Sequence, residues 1–327
     1  MENILTIKNL KTYYYSKNRV VPAVDGVDLY LKKGEILGVV GESGCGKSTL
    51  ARSIIGLLDK LYTRIEDGEI IFYDKDLLKL SNKELNKIRG KKISMIFQDP
   101  LTTLNPVYTI GDQISEILTI HENISKKEAF EKAVELLKLV GIPAAEMRLS
   151  DYPHQLSGGM QQRVLIAIAI ACNPEIIIAD EPTTALDVTV QAQILELITQ
   201  IKEKFGMGMI LITHNMGVVA EMCNRIMVMY GGVTVEEGTA EDIFFSPHHP
   251  YTKGLLAAIP SIEKDKEELY PIKGNVPRFT HPVTSCRFAD RCDYACEKCT
   301  ASEPPLINIG EQHRVRCFLF QGNGDLS

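Results

Sequence analysis

The sequence lacks a long apolar run, an excess of basic residues and a recognisable secretory signal. In its 327 residues the longest uninterrupted apolar run is 164–172, far short of the roughly 20 residues that cross a bilayer. The net charge is −6, which argues against a generally basic nucleic-acid binder. The opening residues MENILTIKNL have neither a basic segment nor a long apolar core, so we expect no secretory signal.

What is present is an ordinary globular composition with an α/β pattern. The chain is 45% hydrophobic and 24% charged, and its length allows two domains or one domain with appendages. Short apolar runs rich in β-branched residues predict strands. The predicted strands are 4–15, 20–31, 36–40, 69–73, 93–97, 176–179, 209–213, 225–230 and 233–237. The last two form a predicted hairpin around Gly231 and Gly232.

Helical spacing and capping signals fill the intervals between these strands. Ser81 with Glu84, and Ser125 with Glu128, are predicted capping boxes at two helix starts. The predicted helices are 48–58, 81–89, two within 110–140, one ending at Cys172, and 189–204. A mostly helical block, about 90–165, therefore interrupts the α/β alternation.

The stretch 41–49 matches the phosphate-binding pattern G-x-x-x-x-G-K-S. Its residues are Gly41, Glu42, Ser43, Gly44, Cys45, Gly46, Lys47, Ser48 and Thr49. A predicted strand precedes it and a predicted helix follows, which favours a P-loop over an ordinary glycine-rich turn. Backbone amides and the helix N-terminus would cradle phosphate oxygens. Lys47 would reach the β- and γ-phosphates of a nucleotide, and Ser48 would offer its hydroxyl to Mg²⁺.

An aromatic residue near the end of the first predicted strand is a candidate for stacking on a purine ring. Tyr14 is the first choice by position and Tyr13 the second. In proteins that bind single-stranded nucleic acids, stacking of a base on an aromatic side chain contributes roughly 1–3 kcal/mol, and we expect a similar contribution here. A surface or core tyrosine is an equally good interpretation of the residues alone.

Three predicted buried strands end in polar, chemically active residues. One ends at the P-loop, the second at Asp180 and Glu181, and the third at His214. In open parallel α/β sheets, ligands bind at the carboxyl ends of the strands. We therefore expect one site to collect all three endings.

Taken together, these motifs resemble the ATP-binding subunits of ABC transporters. The P-loop, the LSGGM stretch 156–160, the strand IIIADEP at 176–182, the Ala-Leu-Asp of 185–187 and His214 follow that family's order. The resemblance covers about residues 4–260. It implies an α/β fold with a mixed-sheet core, an antiparallel β subdomain and an inserted helical subdomain at about 90–165.

The resemblance also implies roles for the residues at the strand ends. Asp180, Ser48 and Gln98 would supply the protein ligands of Mg²⁺, and Glu181 would be the general base that polarises the attacking water. His214 would contact the γ-phosphate. Each residue alone has a simpler interpretation, such as a carboxylate beside the site or a strand-end cap.

A second set of residues is implied to act on the nucleotide of a partner subunit. ATP binding would then drive closure of a dimer, and hydrolysis would reopen it. Ser157 alone would be read as a helix N-cap. The set comprises Ser157, Gly158, Gly159 and Met160 of the signature stretch and Asp187 at the subunit interface.

A narrower resemblance is to the ATP-binding subunits of dipeptide and oligopeptide importers, with nickel importers as close relatives. It is carried by 97–114, 154–170 and 248–261 (HHPYTKGLLAAIPS). It implies a peripheral protein at the cytoplasmic face of the cell membrane, docked through its helical block on two permease subunits. A sister ATP-binding subunit and an extracytoplasmic solute-binding protein would complete the system.

Five of the eight cysteines lie near the C-terminal end, and in a cytosolic protein such a cluster suggests a metal more than disulfides. Similar importer subunits often end in such a stretch, and this resemblance implies a set of four with Cys296 as the extra cysteine. The four are Cys286, Cys292, Cys299 and Cys317, separated by five, six and seventeen residues. Four thiolates suit zinc or a [4Fe–4S] cluster.

The wide spacing and the resemblance favour iron–sulfur, whereas the short step from Cys296 to Cys299 keeps zinc open. Free or disulfide-bonded thiols are a third possibility. Neighbouring arginines would offset thiolate charge; these are Arg287, Arg291, Arg314 and Arg316. We expect an ABC ATPase domain over 1–260 and a cysteine-rich extension over 261–327.

Two other classes fit part of the sequence. A DNA-repair ABC ATPase can carry a cysteine metal module, but the acidic balance, the single nucleotide module and the lack of coiled-coil heptads argue against it and against a nucleic-acid partner. A soluble ABC ATPase for iron–sulfur assembly would not be expected to carry the 248–261 stretch.

Overall fold

A computed structural model describes residues 2–184, 186–258, 272–277 and 279–321. Its strands agree with the sequence pattern at most positions. In chain order they are β1 (Asn3–Ser16), β2 (Arg19–Lys32), β3 (Ile36–Val40), β4 (Thr63–Phe72), β5 (Lys75–Asp76), β6 (Ile93–Ile96), β7 (Ile176–Asp180), β8 (Gly208–Thr213), β9 (Arg225–Tyr230), β10 (Val233–Thr239), β11 (Ile307–Asn308) and β12 (Arg314–Val315).

The helices include the predicted ones and several short ones that the pattern did not give. They are α1 (Lys47–Ile54), α2 (Asn82–Ile88), α3 (Pro100–Thr103), α4 (Ile110–Glu122), α5 (Lys126–Leu139), α6 (Ala145–Arg148), α7 (Gly158–Ile170), α8 (Val188–Phe205), α9 (Met216–Met222), α10 (Ala240–Phe245), α11 (Pro250–Ala257) and α12 (Glu297–Ala301). The capping boxes at Ser81 and Ser125 are both confirmed.

Two predicted bounds were wrong for physical reasons. The helix after the P-loop ends at Ile54 and not at residue 58, because Gly56 adopts a left-handed conformation at φ 65° that stops it. β4 begins at Thr63, six residues before its predicted start, because antiparallel pairing with the long β1 extends it.

The chain divides into two compact units. The first comprises Met1–Glu2, Lys32–Gly34 and Lys79–Ile210. In it β6 and β7 pair in parallel, with Ile93 opposite Ile176. Helices α3 to α7 fill much of the block that was predicted to be helical, and α7 is the central one, in contact with α3, α4, α5 and α8.

The second unit comprises Asn3–Leu31, Glu35–Leu78 and Leu211–Ser327. An antiparallel sheet has the strand order β2-β1-β4-β5. A mixed sheet pairs β3 with β9 in parallel and β9 with β10 antiparallel, which gives the predicted hairpin. The C-terminal strand β12 continues this sheet by pairing with β10. The predicted α/β class with a mixed and an antiparallel sheet is confirmed.

Within the described ranges no helix is both long and apolar enough to span a membrane. The predicted division of the chain at residue 260 and the end of the 248–261 stretch lie outside the described residues, and the division stays a prediction.

Candidate functional site

The P-loop lies between β3 and α1, as the motif predicts. Its glycines are needed at two close approaches. At Gly46, with φ 108°, a Cβ atom would lie 2.0 Å from the Ala23 carbonyl oxygen, and at Gly41 it would lie 2.2 Å from that of Met229. No side chain larger than hydrogen fits at either position, so the backbone can curl tightly with its amides available to an anion.

Lys47 is held in the middle of this loop. Its side chain is buried, and its Nζ donates to the carbonyl oxygens of Gly41 at 2.7 Å and Glu42 at 3.1 Å. The ammonium group also lies 3.7 Å from Cys45 Sγ. Burial raises the pKa of the Cys45 thiol, so this cysteine is a neutral packing group beside the lysine at neutral pH. The loop is thus arranged around one positive charge.

The two candidate aromatic residues have different partners. The Tyr13 hydroxyl donates to Asp25 Oδ1 at 2.6 Å, and burial raises the pKa of this tyrosine. The Tyr14 hydroxyl lies 3.3 Å from Thr49 Oγ1, directly after the P-loop serine. Tyr14 is therefore the tyrosine whose side chain contacts the nucleotide-binding segment, and its stacking role stays a prediction.

Glu181 has an unusual backbone in the first unit. It follows the buried Asp180 at the end of β7 and adopts φ 47°, a left-handed conformation that few residues with a Cβ take. Its Oε2 accepts hydrogen bonds from Gln98 Nε2 at 3.1 Å and from Thr184 Oγ1 at 2.8 Å. Such conformations cluster at functional sites, because the surrounding fold must hold them in place.

The signature stretch forms the start of α7. Ser157 is the N-cap, and its hydroxyl accepts from the Met160 amide at 3.4 Å. Gly158 is exposed, and at Gly159 a Cβ atom would lie 2.8 Å from Val190 of α8. Asp187 caps α8 in the same way, since its carboxylate accepts from the Val190 amide at 3.0 Å. The N-cap residue Ser157 and the first helical residue, Gly158, are both exposed at the start of α7.

A cavity of about 190 Å³ in the first unit is lined by two of the predicted residues. Gln98 and Gly158 both line it, together with Leu186 next to Asp187. His214 lies in the second unit, exposed between β8 and α9, whose N-cap is Asn215. The expectation that one site gathers the P-loop, Asp180 with Glu181, and His214 involves both units and stays a prediction.

The C-terminal cysteines meet at one cavity of about 150 Å³, and Cys296 is among them. The Sγ atoms of Cys296 and Cys299 lie 3.6 Å apart. Burial raises the pKa of Cys286 to about 11, and the charge of the neighbouring thiols adds to this increase. The cysteines that line it are Cys286, Cys292, Cys296, Cys299 and Cys317.

The arginines beside these cysteines have carboxylate partners, and the expectation that they offset thiolate charge stays a prediction. Arg287 pairs with Asp25. Arg291 pairs with Glu42 of the P-loop at 2.7 Å. The remaining two interact with Glu237 and Glu303; they are Arg314 and Arg316. The partners of Arg287, Arg291 and Arg314 lie 262, 249 and 77 residues away, so no local pattern would have found them.

Another group of potential ligands in the described residues is Glu236, His248 and His313, whose ligand atoms lie within 4.8 Å of one another. The buried Glu236 carboxylate accepts from the backbone amides of His248 at 2.7 Å and His249 at 3.0 Å. His313 Nε2 lies 2.9 Å from Glu236 Oε1. These contacts attach β12 and the start of α11 to β10.

Comparison with known proteins agrees with this geometry. Residues 24–184 match the ABC transporter family, and residues 235–299 match the oligopeptide/dipeptide transporter C-terminal region. The oligopeptide transport ATP-binding protein AppD of Bacillus subtilis is 51% identical over 324 residues, 99% of each chain. The chain belongs to the family of ATP-binding subunits of oligopeptide and dipeptide ABC transporters.

Further relatives support this assignment over the whole length. The dipeptide transport ATP-binding protein DppD of Bacillus subtilis is 50% identical over 98% of this chain and 95% of its own. Among solved structures, the ATP-binding cassette MJ0796 in a dimeric post-hydrolysis state bound to ADP and Pi has a TM-score of 0.65 at 32% identity. That match covers 72% of this chain and 98% of the cassette.

Family membership confirms the main expectations from the sequence. The chain is an ABC-type ATPase that binds ATP and couples its hydrolysis to transport. The family works with membrane permeases and as a dimer of ATP-binding subunits. The individual roles of the site residues stay predictions.

Proposed function

We propose that this subunit powers the import of dipeptides or oligopeptides from the cytoplasmic face of the cell membrane. The observation that carries the proposal is the likeness to peptide transport ATP-binding proteins along the whole chain, including the C-terminal region. Its partners would be two permease subunits and a sister ATP-binding subunit. An extracytoplasmic binding protein would deliver the solute, and no nucleic acid would be involved.

In the proposed reaction, the chain's residues divide between holding phosphate and activating water. Lys47 and the P-loop amides hold the phosphates, and Tyr14 stacks on the adenine. Glu181 takes a proton from the attacking water, and its hydrogen bond from Gln98 keeps the carboxylate oriented. His214 contacts the γ-phosphate.

The donors proposed for Mg²⁺ suit that ion. They are the Ser48 hydroxyl, the Gln98 amide oxygen and the Asp180 carboxylate, all hard oxygen ligands of the type that Mg²⁺ prefers. When bound, the ion would neutralise charge on the β- and γ-phosphates. Asp180 is buried at the end of a strand, which fixes its carboxylate without a long flexible stem.

The start of α7 is proposed to bind the nucleotide of the sister subunit. Its amides and helix dipole suit a γ-phosphate. The likeness to cassettes solved as dimers supports this arrangement. ATP would then hold the two subunits together until hydrolysis. The residues that would face the partner's nucleotide are Ser157, Gly158, Gly159, Met160 and Asp187.

A groove on the first unit supports docking to the permeases. Its volume is about 720 Å³, and α4 and α7 provide much of its wall. Tyr108, which lines it, is 55% exposed, and Leu101 and Val107 nearby in sequence are 71% and 72% exposed, which leaves apolar surface for a partner to cover. We propose that a cytoplasmic helix of one of the two permeases binds in this groove.

The experiment that tests the proposed function isolates the tagged chain from its native membranes in mild detergent. Mass spectrometry should identify two permeases and a sister ATP-binding subunit. After reconstitution in vesicles with the cognate binding protein, mixed di- to hexapeptides should stimulate ATP hydrolysis several-fold. Free amino acids and nickel salts serve as controls. Stimulation by nickel alone, or isolation of the chain without permeases, would contradict peptide import.

The cysteine cavity is proposed to hold a [4Fe–4S] cluster. Soft thiolates are the donors that iron–sulfur clusters and zinc both take. The wide sequence spacing of Cys286, Cys292, Cys299 and Cys317 and the family resemblance favour the cluster, and all four cysteines line this cavity.

Protein purified without oxygen should therefore be brown and contain iron and acid-labile sulfide. Cys292→Ser should lose most of the iron, because it removes one proposed ligand. The matched control is Cys296→Ser, in which the iron should be retained. Stoichiometric zinc without iron would overturn the cluster. Equal loss of iron in the two variants would overturn the choice of Cys286, Cys292, Cys299 and Cys317 as ligands.

A further inference from the structure

The cysteine segment directly contacts the P-loop. Arg291 and Glu42 form a two-pronged ion pair, in which Nη1 donates to Oε2 at 2.7 Å and Nη2 donates to Oε1 at 3.0 Å. The Arg291 side chain is 5% exposed. Its remaining donors reach the carbonyl oxygens of Lys273 at 2.8 Å and Gly274 at 3.2 Å. The guanidinium is therefore fixed on several sides, and a fixed fork of this kind orients a carboxylate.

Glu42 is held at three points, and one of them is the P-loop lysine, Lys47. Its side chain is bound by Arg291. Its backbone amide donates to the Tyr251 hydroxyl at 2.8 Å. Its carbonyl oxygen accepts from Lys47 Nζ at 3.1 Å. A shift of the Glu42 side chain would thus move the peptide group that Lys47 binds.

A cluster of aromatic side chains packs against the Arg291–Glu42 ion pair. Tyr230 and Tyr251 are fully buried, with ring centroids 4.7 Å apart. Phe288 lies edge-on to Tyr230 at 5.2 Å, and the Arg291 guanidinium lies 5.7 Å from the centre of the Tyr230 ring. The hairpin, α11 and the cysteine segment therefore form one packed body behind Glu42.

The cysteine cavity and Arg291 share one short turn. Cys286 and Cys292 both line the cavity, and the residues between them make a tight turn over Ala289–Arg291. The Cys292 amide donates to the Ala289 carbonyl at 3.2 Å. A metal or other group that holds Cys286 and Cys292 in place would therefore also hold the backbone of Arg291 in place.

We propose that Arg291 is a positioning residue for ATP binding, which holds Glu42 and with it the P-loop in the binding conformation. The cysteine cavity, through the turn that carries Arg291, then sets the affinity for ATP. The inference rests on ATP binding at the P-loop and is independent of the transported solute and of which metal the cysteines take.

The test measures equilibrium binding of a fluorescent ATP analogue together with steady-state ATP hydrolysis. Arg291→Gln should raise the Kd and KM for nucleotide about tenfold or more, while kcat at saturating ATP stays within about twofold of the unchanged protein. Arg291→Lys should recover part of the affinity, because an ammonium makes a single-point contact with the carboxylate. The matched control is Arg314→Gln. Arg314 lies in the same C-terminal segment but pairs with Glu237, so its replacement should leave the Kd unchanged.

Glu42→Gln provides a second route if the arginine variant fails to fold. It removes the ion pair from the P-loop side and should raise the Kd by a similar factor, and the double variant should lose little more than either single one. Cys292→Ser should raise the nucleotide Kd without touching the P-loop. The proposal is overturned if Arg291→Gln and Arg314→Gln give the same Kd, if the losses in the double variant simply add, or if kcat falls while KM is unchanged.

Discussion

Replacing Glu181 by glutamine should abolish most ATP turnover and leave ATP binding intact. Glutamine has nearly the same shape and can still accept the hydrogen bond from Gln98, but it cannot take a proton from water. The loss of a general base costs about 10²–10⁴-fold in rate. Hydrolysis measured by phosphate release should fall in this range, while the Kd for an ATP analogue changes little. Mixed with the sister subunit, the variant should also accumulate as an ATP-bound dimer on size-exclusion chromatography.

The control for this prediction is Glu175→Gln, the same change just before the opposite end of β7. Glu175 forms an ion pair with Lys92 at 2.6 Å and lies outside the proposed machinery. Its removal should leave turnover nearly unchanged, since partly exposed ion pairs contribute about 0–1 kcal/mol to stability. Unchanged hydrolysis in Glu181→Gln would remove Glu181 as the base.

Replacing Lys47 by methionine should abolish useful ATP affinity. Methionine keeps the length of the apolar stem but lacks the ammonium group, which is the positive charge that the loop encloses. Truncating one partner of a buried charge pair costs about 2–5 kcal/mol, so we expect the Kd to rise on the order of a hundredfold or more. Equilibrium binding of a fluorescent ATP analogue measures it.

Thermal unfolding of the same Lys47 variant separates lost binding from a lost fold. Without nucleotide, its melting temperature should stay close to that of the unchanged protein, whereas ATP should no longer raise it. Lys33→Met changes an exposed lysine and should leave both the affinity and the ATP-induced stabilisation in place. An affinity within about threefold of normal in Lys47→Met would show that this ammonium does not hold the phosphates.

Much of the fold could be predicted because its signals are local. The β3 strand was predicted with its observed bounds, since a run of four apolar residues broken only by Gly38, just before a glycine loop, has few other interpretations. The capping boxes at Ser81 and Ser125 depend on residues three positions apart. Helix ends were less predictable, as α1 shows, because a single left-handed glycine overrides the apolar spacing that follows it.

The candidate site divides in the same way. Gly41 to Thr49, the signature stretch and the acidic pair at the end of β7 were found from the order of short motifs. The left-handed conformation of Glu181 and its hydrogen bond from Gln98 could not be predicted in this way. The two residues are 83 positions apart, and no short motif contains both.

The sequence by itself therefore determined the family, the nucleotide and the candidate residues for nucleotide binding and hydrolysis, because a short contiguous motif carries each of them. Only the tertiary structure decided what the C-terminal arginines bind and that all five of the late cysteines meet at one cavity. Arg291 and Glu42 are 249 residues apart, and only folding brings their charges together. Contacts of this kind depend on how the elements pack, which no periodicity or spacing within one segment records.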